Sequence, residues 1–192
     1  MSTATQALCT AAPAPRISEE KGQPTWIDAG LQDLRTLERE YRSPAVDEIP
    51  HAASHEEAIE VVASYLGFTD ASAVSLSVDT PLGRVLIRRD SIYHIVEKRQ
   101  DARERYVGLA MDTLTNPYEV WKVAFTNNTH RLAYIGVYES KRQMLVSVTM
   151  ENGRMLWNFM HCDAKALNRH RHGELLYQRH PEALVPGKEK AA

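Results

Sequence analysis

The first residues that could do chemistry are His94 and Lys98, in the segment SIYHIVEK. In a helix these side chains, four residues apart, lie on the same face. An imidazole with a pKa of about 6.5 can accept or donate a proton near neutral pH, and a neighbouring cation can bind an anion. The pair therefore indicates acid–base catalysis on an anionic substrate. The structural alternative is a helix histidine packed at the edge of a sheet.

A second group of candidates lies in RLAYIGVYESK. Arg131 and Tyr134 are three residues apart, so in a strand they point to opposite faces and share a site only at a bulge. Lys141 follows at a turn, where an exposed structural lysine is the alternative to a substrate contact. Arg131 is thus a candidate catalytic cation, and Tyr134 and Lys141 are candidate substrate-binding residues.

The string LWNFMH predicts a strand in which Asn158 points away from Trp157 and Phe159. If these aromatic residues belong to the core, Asn158 faces the open side of the sheet. Its amide can hydrogen-bond a phosphate there but is a poor acid or base, so His161 is an alternative acid–base residue. Trp121 could stack on a base, although a strand tryptophan is more often a core residue.

Arginines and histidines are also concentrated in NRHRHGELLY. Arg169 and Arg171 could each bind a phosphate through two hydrogen bonds, but they do not share one face of a helix, so at most one reaches a common site. His170, His172 and His180 fit no standard metal-ligand spacing, and the chain has no Cys-x-x-Cys pair. No metal and no cofactor is predicted.

Charge is distributed unevenly along the 192 residues. Residues 1–80 contain 5 lysines and arginines against 13 aspartates and glutamates, whereas residues 81–192 contain 18 against 12. The basic second part is typical of a domain that binds a polyphosphate, with a basic solvated surface as the alternative. The composition is that of a soluble protein, without a visible secretory or membrane-spanning segment.

The first elements of the chain are a tail and an acidic helix. Residues 1–24 are rich in Ala, Thr, Pro and Ser, which predicts a disordered tail. Leu31, Leu34 and Leu37 follow helical spacing, so residues 25–50 predict an acidic helix, over 25–42, and a linker. This helix could cover the basic domain or act as a tether.

Two further helices and a hairpin are predicted before the main sheet. Ser54 and Glu57 form a capping box for a helix that ends at Gly67. AVSLSVDTPLGRVLIRR alternates around a Pro-Leu-Gly turn and predicts a hairpin or two edge strands. Residues 91–116 predict a helix that stops before Pro117.

A four-stranded antiparallel meander should follow, in which Asn152-Gly153 forms the last tight turn. The four strand candidates are EVWKVAFTN, HRLAYIGVYES, RQMLVSVTME and RMLWNFMH. The string DAKALNRHRHGELLYQ then predicts a short C-terminal helix or helical turn that is closed at Gly173. The fold class is therefore α+β, with N-terminal helices packed on one face of the sheet and the other face free.

Four strings in this order and spacing resemble a phage-associated nuclease family of the barnase/EndoU/colicin/RelE-like superfamily. They are SIYHIVEK, LTNPYEVW, RLAYIGVYESKRQMLVSV and LWNFMHCDAKALNRHRHGELLY. Such domains occur fused to Mu-F-type phage head proteins and in polymorphic toxins. The resemblance covers about residues 75–178 and implies helices followed by a four-stranded antiparallel sheet. The nuclease domain is assigned to residues 51–180, with residues 181–192 as a tail.

The resemblance implies a metal-independent ribonuclease whose nucleophile is a 2′-hydroxyl group. A base removes its proton, cations stabilise the phosphate and an acid protonates the leaving 5′-oxygen. His94 matches the helix histidine of the family. The chain departs from the pattern at Asn158, because relatives often carry a hydroxyl residue near this strand, and the departure leaves the second proton-transfer residue open.

Several functional expectations remain open from the sequence. The alternative to a ribonuclease is a catalytically inactive nucleic-acid- or protein-binding accessory domain of a phage or mobile element. The expected partners are RNA (including tRNA), an inhibitor or immunity protein and a phage structural protein, but no membrane. The two cysteines, Cys9 and Cys162, predict no structural disulfide. The expected location is the cytoplasm of the host cell, with association with a virion or delivery as alternatives.

Overall fold

The computed structural model describes residues 17–97, 102–149 and 155–181, with only the backbone of residues 155–157. The helices are α1 (His55–Leu66), α2 (Arg89–Val96), α3 (Val107–Thr115) and α4 (Ala164–Asn168). Short 3-10 turns occur at Arg39–Tyr41 and Arg103–Tyr106. The strands are β1 (Ser75–Thr80), β2 (Gly83–Arg88), β3 (Glu119–Ala124), β4 (His130–Gly136), β5 (Gln143–Thr149), β6 (Met155–Cys162) and β7 (Glu174–Gln178).

The strands form one sheet in the order β1-β2-β6-β5-β4-β3-β7. All pairs from β6 to β7 are antiparallel, and so is the β1–β2 hairpin. The hairpin joins β6 through one parallel residue pair, Leu86 with Met155. The α+β class and the four strands of the predicted meander, β3 to β6, are confirmed, but the sheet extends beyond them on both sides. The predicted Asn152-Gly153 turn lies outside the described residues.

The predicted C-terminal helix is formed but ends before Gly173, and the rest of that predicted string forms a strand. Helix α4 ends at Asn168, and residues 174–178 form β7, antiparallel to β3. Gly173 turns the chain between these elements with a φ of 99°. A Cβ atom at this position would lie 2.1 Å from the Lys122 carbonyl oxygen, so the turn requires glycine.

The predicted acidic helix over residues 25–42 is not formed. Its three leucines are buried, as their spacing suggested: Leu31, Leu34 and Leu37. However, the Arg42 guanidinium donates hydrogen bonds to the Leu34 and Leu37 carbonyls, at 2.7 and 3.1 Å. These carbonyls therefore bind a side chain instead of the backbone N–H groups of a following helical turn.

The predicted helix over residues 91–116 is broken into two helices. Helix α2 ends at Val96 and α3 begins at Val107. Ala102 has a φ of 43°, a left-handed conformation that costs free energy for a residue with a Cβ atom. Ala102 immediately precedes the Arg103–Tyr106 turn. The backbone therefore departs from a continuous right-handed helix at this residue.

The start and end of α1 are confirmed as predicted. The Ser54 Oγ accepts a hydrogen bond from the Glu57 N–H at 3.1 Å. The Glu57 carboxylate reaches back to the Ala53 N–H, at 2.6 Å. Gly67 ends the helix with a φ of 99°. Local sequence thus determines both termini of α1.

Both faces of the sheet carry a hydrophobic core. On the first face, α1, α2 and α3 pack against residues that include Ile87, Tyr134, Val146 and Phe159. On the second face, Leu31, Leu34, Leu37 and Leu167 pack against Trp121, Ala133, Ile135 and Leu145. The expectation of a free second face is therefore wrong for β3, β4 and β5, because the N-terminal segment and α4 cover residues of these strands.

Strand β6 contains a β-bulge opposite β5. Ser147 pairs with Asn158, whereas the next residue, Val148, pairs with Leu156. Trp157 is the extra residue of the bulge. After the bulge, alternation along β6 places the side chains of Asn158 and Phe159 on opposite faces, as predicted.

A buried ion pair joins the second face to the sheet. Arg171 and Glu119 are fully buried, and the guanidinium binds both carboxylate oxygens at 2.6 and 2.7 Å. Arg171 Nη1 also donates to the Gln32 carbonyl and to Asn168 Oδ1, each at 2.9 Å. Trp121 Nε1 donates to the same carboxylate at 2.7 Å. The network connects β3, α4 and the N-terminal segment.

We predict that Arg171→Ala lowers the free energy of unfolding by about 3–5 kcal/mol, because it leaves the Glu119 carboxylate buried without its cation. Urea unfolding followed by circular dichroism measures the loss. Arg169→Ala is the matched control, since Arg169 is exposed, and its effect should stay within about 0.5 kcal/mol. Similar losses for both variants would contradict a structural role specific to Arg171.

A second prediction concerns Gly136 on β4. A Cβ atom there would lie 2.0 Å from Thr113 Oγ1 and 2.9 Å from the Tyr138 ring. Both neighbours are buried, so Gly136→Ala should destabilise the protein by about 3 kcal/mol through overpacking. Gly67→Ala is the control, because nothing lies within 4 Å of the added atom and only backbone strain of about 1 kcal/mol is expected. A larger loss for the control would contradict this account.

Candidate active site

A cavity of about 160 Å³ lies beside β6, between this strand and the Arg103–Tyr106 turn. Its lining consists of Arg103, Tyr106, Phe159, Met160 and His161. Because β6 pairs with β2 only near residue 155, the later part of β6 has this turn beside it. The cavity thus combines an imidazole, a phenol and a guanidinium group.

Strand alternation brings His161 into this cavity. His161 and Phe159 share a face of β6, where they pair with Met144 and Val146 of β5. Phe159 is buried in the first core, whereas His161 is half-buried. The His161 ring packs on the Tyr106 ring, with 4.0 Å between the ring centroids. The buried tyrosine therefore restricts the orientation of the imidazole.

Arg142 adds a second cation at His161. Its Cζ atom lies 5.0 Å from the centroid of the Tyr106 ring, and its Nη1 lies 3.5 Å from His161 Nδ1. A guanidinium group only donates hydrogen bonds. His161 Nδ1 is therefore the acceptor in this contact, and a neutral His161 ring carries its proton on Nε2.

Arg103 links the cavity to Asn158. The side chain is largely buried, and its Nη1 donates to Asn158 Oδ1 at 2.5 Å. Asn158 therefore accepts through its carbonyl oxygen and keeps its amide N–H groups as donors. Arg103 thus connects two candidates from the sequence, because it lines the cavity with His161 on one face of β6 and binds Asn158 on the other face.

A carboxylate from the N-terminal segment neutralises part of the positive charge. Glu48 Oε2 lies 2.8 Å from Arg105 Nη2, and Glu48 Oε1 forms an ion pair with Arg142 Nε. Arg105 also packs over the Tyr106 ring, with 5.9 Å to its centroid. The acidic first part of the chain therefore contacts the basic second part at this site.

The Cys162 thiol beside His161 is poorly suited to act as a nucleophile. Burial raises the pKa of Cys162 to about 12, and the neighbouring Asp163 carboxylate acts in the same direction. The group therefore stays a neutral thiol at physiological pH, whereas a nucleophilic cysteine acts as a thiolate.

His94 lies on the exposed face of α2, with 68% of its side chain exposed. Its Nδ1 lies 3.7 Å from Glu97 Oε2, and its ring contacts Tyr93. Helix α2 itself packs against β6. The predicted partner Lys98 lies outside the described residues.

Three candidate substrate-binding residues are structural instead, so their assignment is corrected. Trp121 and Tyr134 are buried, on opposite faces of the sheet. Arg171 is buried in the ion pair with Glu119. None of the three has a surface that a substrate can reach in this structure. The sequence alternative of a core tryptophan describes Trp121 correctly.

The remaining candidates lie apart from the cavity lining. Lys141 is exposed in the turn between β4 and β5, next to Arg142 in the chain. Arg169 is exposed after α4. Arg131 lies on the second face, opposite to the face of Tyr134, as its position in the strand predicted.

Sequence reasoning missed Arg103, Tyr106 and Arg142. The string DARERY could have indicated the first two, because it places an aromatic residue among arginines, a pattern that suits phosphate binding. Its interpretation as the middle of one long helix concealed the turn. Arg142 lies beside the candidate Lys141 in the chain, directly before β5, and contacts His161 on the neighbouring strand β6.

The groups of this site can bind an anion and transfer a proton. The guanidinium groups of Arg103 and Arg142 can bind the anion, and the His161 imidazole can transfer the proton.

Across the described ranges, no helix is long and apolar enough to cross a membrane. In those same ranges, no three His, Cys, Asp or Glu side chains gather into a group that could hold a metal ion.

Comparison with known families gives a match over residues 63–178. The matching family is described as phage-Barnase-EndoU-ColicinE5/D-RelE like nuclease2. Searches of the curated proteins and of the solved structures gave no match. The matched range begins within α1, ends with β7 and includes every residue that lines the β6 cavity. Since it spans more than half of the chain, this protein belongs to the phage-Barnase-EndoU-ColicinE5/D-RelE like nuclease2 family.

Proposed function

We propose that the protein is a metal-independent endoribonuclease that cleaves RNA at the β6 cavity. Family membership indicates a nuclease-type function. One arrangement supports the finer assignment: His161 contacts both Tyr106 and Arg142, and Arg103 lines the same cavity. An imidazole and guanidinium groups suit RNA cleavage in which the 2′-hydroxyl is the nucleophile.

In this reaction the ribose 2′-oxygen attacks the adjacent phosphorus. The bond between phosphorus and the 5′-oxygen of the next nucleotide breaks, which leaves a 2′,3′-cyclic phosphate. His161 is the proposed acid that protonates the leaving 5′-oxygen; a bound phosphate draws the Arg142 guanidinium away from His161 Nδ1, so that this nitrogen can carry the second proton of the imidazolium form. His94, on the helix that packs against β6, is the proposed base for the 2′-hydroxyl proton.

The arginines are proposed to stabilise the charge that develops on the phosphate. Arg142 contacts His161, and Arg103 reaches the same cavity from the Arg103–Tyr106 turn beside β6. Asn158 is fixed by Arg103 through Oδ1 and can donate an N–H group to a phosphate oxygen. Preorganised donors of this kind act without reorganisation during the reaction.

The first test is incubation of the protein with total RNA and with tRNA in excess chelator. We expect RNA fragments with 2′,3′-cyclic phosphate ends, because the nucleophile comes from the ribose and not from a metal-bound water. DNA of matching sequence is the control and should remain intact, since it lacks the 2′-hydroxyl group. Loss of cleavage in chelator, or cleavage of the DNA, would contradict the proposed reaction.

We predict that His161→Ala lowers turnover by about two to four powers of ten, the usual contribution of acid–base catalysis. His94→Ala should lower turnover by a similar factor if it is the base. His180→Ala is the control, because its ring packs on Tyr41, at 5.3 Å between centroids, and its turnover should stay near that of the unchanged protein. Normal cleavage by His161→Ala would remove the β6 cavity from the mechanism.

The second candidate function is binding of nucleic acid without cleavage. It is favoured by Asn158, which cannot transfer a proton, and by Glu48, which already neutralises part of the charge of Arg105 and Arg142. RNA that is bound but remains intact would support this function over the nuclease. In that case charge reversal at several arginines, and no single histidine, should control binding.

A further inference from the structure

A second groove of about 340 Å³ lies on the second face of the sheet, beyond the part that the N-terminal leucines cover. Its lining includes Ile17, Phe125, Thr129, Arg131, Ser147 and Thr149. It combines an aromatic ring, a guanidinium group and three hydroxyl groups. These are the groups with which proteins bind the base, the phosphate and the ribose of a nucleotide.

Arg131 is the cation of this groove. Its Cζ atom lies 5.5 Å from the centroid of the Phe125 ring, and its Nη2 pairs with Glu19 Oε1. Its Nε is buried and, among the described residues, has no hydrogen-bond partner. The Arg131 guanidinium therefore has donor capacity that the Glu19 carboxylate does not use.

The same carboxylate contacts a second basic group. Glu19 Oε2 lies 3.0 Å from His172 Nε2, and His172 Nδ1 lies 3.0 Å from the Arg169 carbonyl oxygen. Both ring nitrogens of His172 thus lie within hydrogen-bond distance of an oxygen atom. Glu19 thus places one anionic group between Arg131 and His172.

The segment that carries Glu19 is held by a small number of backbone bonds. Glu19 forms an isolated antiparallel bridge with Phe125. Glu20 N donates to the Ala124 carbonyl at 3.0 Å, and Thr126 N donates to the Ser18 carbonyl at 2.9 Å. Apolar burial is small here, because Ile17 is exposed. Such a short edge contact can open without unfolding the cores.

The groove is connected to the β6 cavity through the register of the sheet. Ser147 lines the groove and pairs with Asn158, which accepts the hydrogen bond from Arg103. Asn158 is in register with Ala133 of β4, two residues from Arg131, so the Cα atoms of Arg131 and Asn158 are about 12 Å apart at the usual strand spacing and rise. One nucleic-acid strand can therefore contact both Arg131 and Asn158.

We propose that this groove is a second nucleotide subsite for the RNA strand cleaved at the β6 cavity, and that residues 17–20 cover it, with the Glu19 carboxylate in the place of an RNA phosphate. The inference rests on the proposed function and adds a position where the strand binds. Phe125 stacks on a base, and Arg131 binds the phosphate. RNA must displace Glu19 to bind, so the segment competes with the substrate.

Binding of a fluorescently labelled 2′-deoxy oligonucleotide to the full-length protein at low salt tests this subsite. The strand cannot be cleaved by the proposed reaction, so its affinity is measured independently of catalysis. Glu19→Gln should raise the affinity by about fivefold, because the competing ion pair is weakened. Glu20→Gln removes the same charge at the next residue, whose N–H binds Ala124, and should leave the affinity nearly unchanged.

Arg131→Gln should lower the affinity by about tenfold and abolish the gain from Glu19→Gln in the double variant. Equal gains from Glu19→Gln and Glu20→Gln would overturn the proposal, since only the overall charge would then matter. An abasic strand of the same length that binds equally well would overturn the nucleotide assignment. Thermal unfolding of each variant confirms that the fold is retained.

Failure of this subsite and failure of the nuclease function give different results. If Arg131→Gln leaves the oligonucleotide affinity unchanged while the protein cleaves RNA, the subsite is wrong and the nuclease proposal stands. If the affinities change as expected but RNA remains intact, the subsite is supported and the protein binds nucleic acid without cleavage.

Discussion

The ion pair between Arg171 and Glu119 holds three parts of the chain in one arrangement. A buried charge is costly without a partner, and this guanidinium distributes its donors among β3, α4 and the N-terminal segment. The segment with Gln32 is therefore fixed over the second face of the sheet. As a consequence, a substrate cannot lie across the middle of that face, and the cavities proposed to bind RNA lie beside β6 and around Arg131.

The parts of the fold that depend on local sequence were predictable. Alternation identified β3 to β6, and the capping box and Gly67 identified both ends of α1. The helix over residues 25–42 failed because leucines three residues apart fit either a helix or a series of turns. Arg42, which binds the carbonyls of that segment, decided between them through contacts that spacing does not reveal. Similarly, ELLYQ became a strand because β3 offered a free edge.

The candidate site was predictable in part. The alternation of side chains along a strand predicted that Arg131 and Tyr134 point to opposite faces of the sheet. It predicted the same for Asn158 and Phe159, and both predictions agree with the two cores. Burial of an arginine could not be read from the sequence, because it depends on a partner such as Glu119 that lies 52 residues from Arg171. Short-range patterns therefore indicate which face a residue occupies, whereas its solvent accessibility depends on distant segments.

The separation between Gln32 and Arg171 has a consequence for how the chain is assembled. Their hydrogen bond joins residues 139 positions apart, so during synthesis the N-terminal segment leaves the ribosome long before its partners exist. Contacts between distant residues form slowly, because a large loop must close before they are made. The three leucines of the segment are therefore exposed in the nascent chain until α4 and β7 have been made. Docking of this segment is expected to be a late step, and an uncovered apolar face is the form of the protein most prone to aggregation.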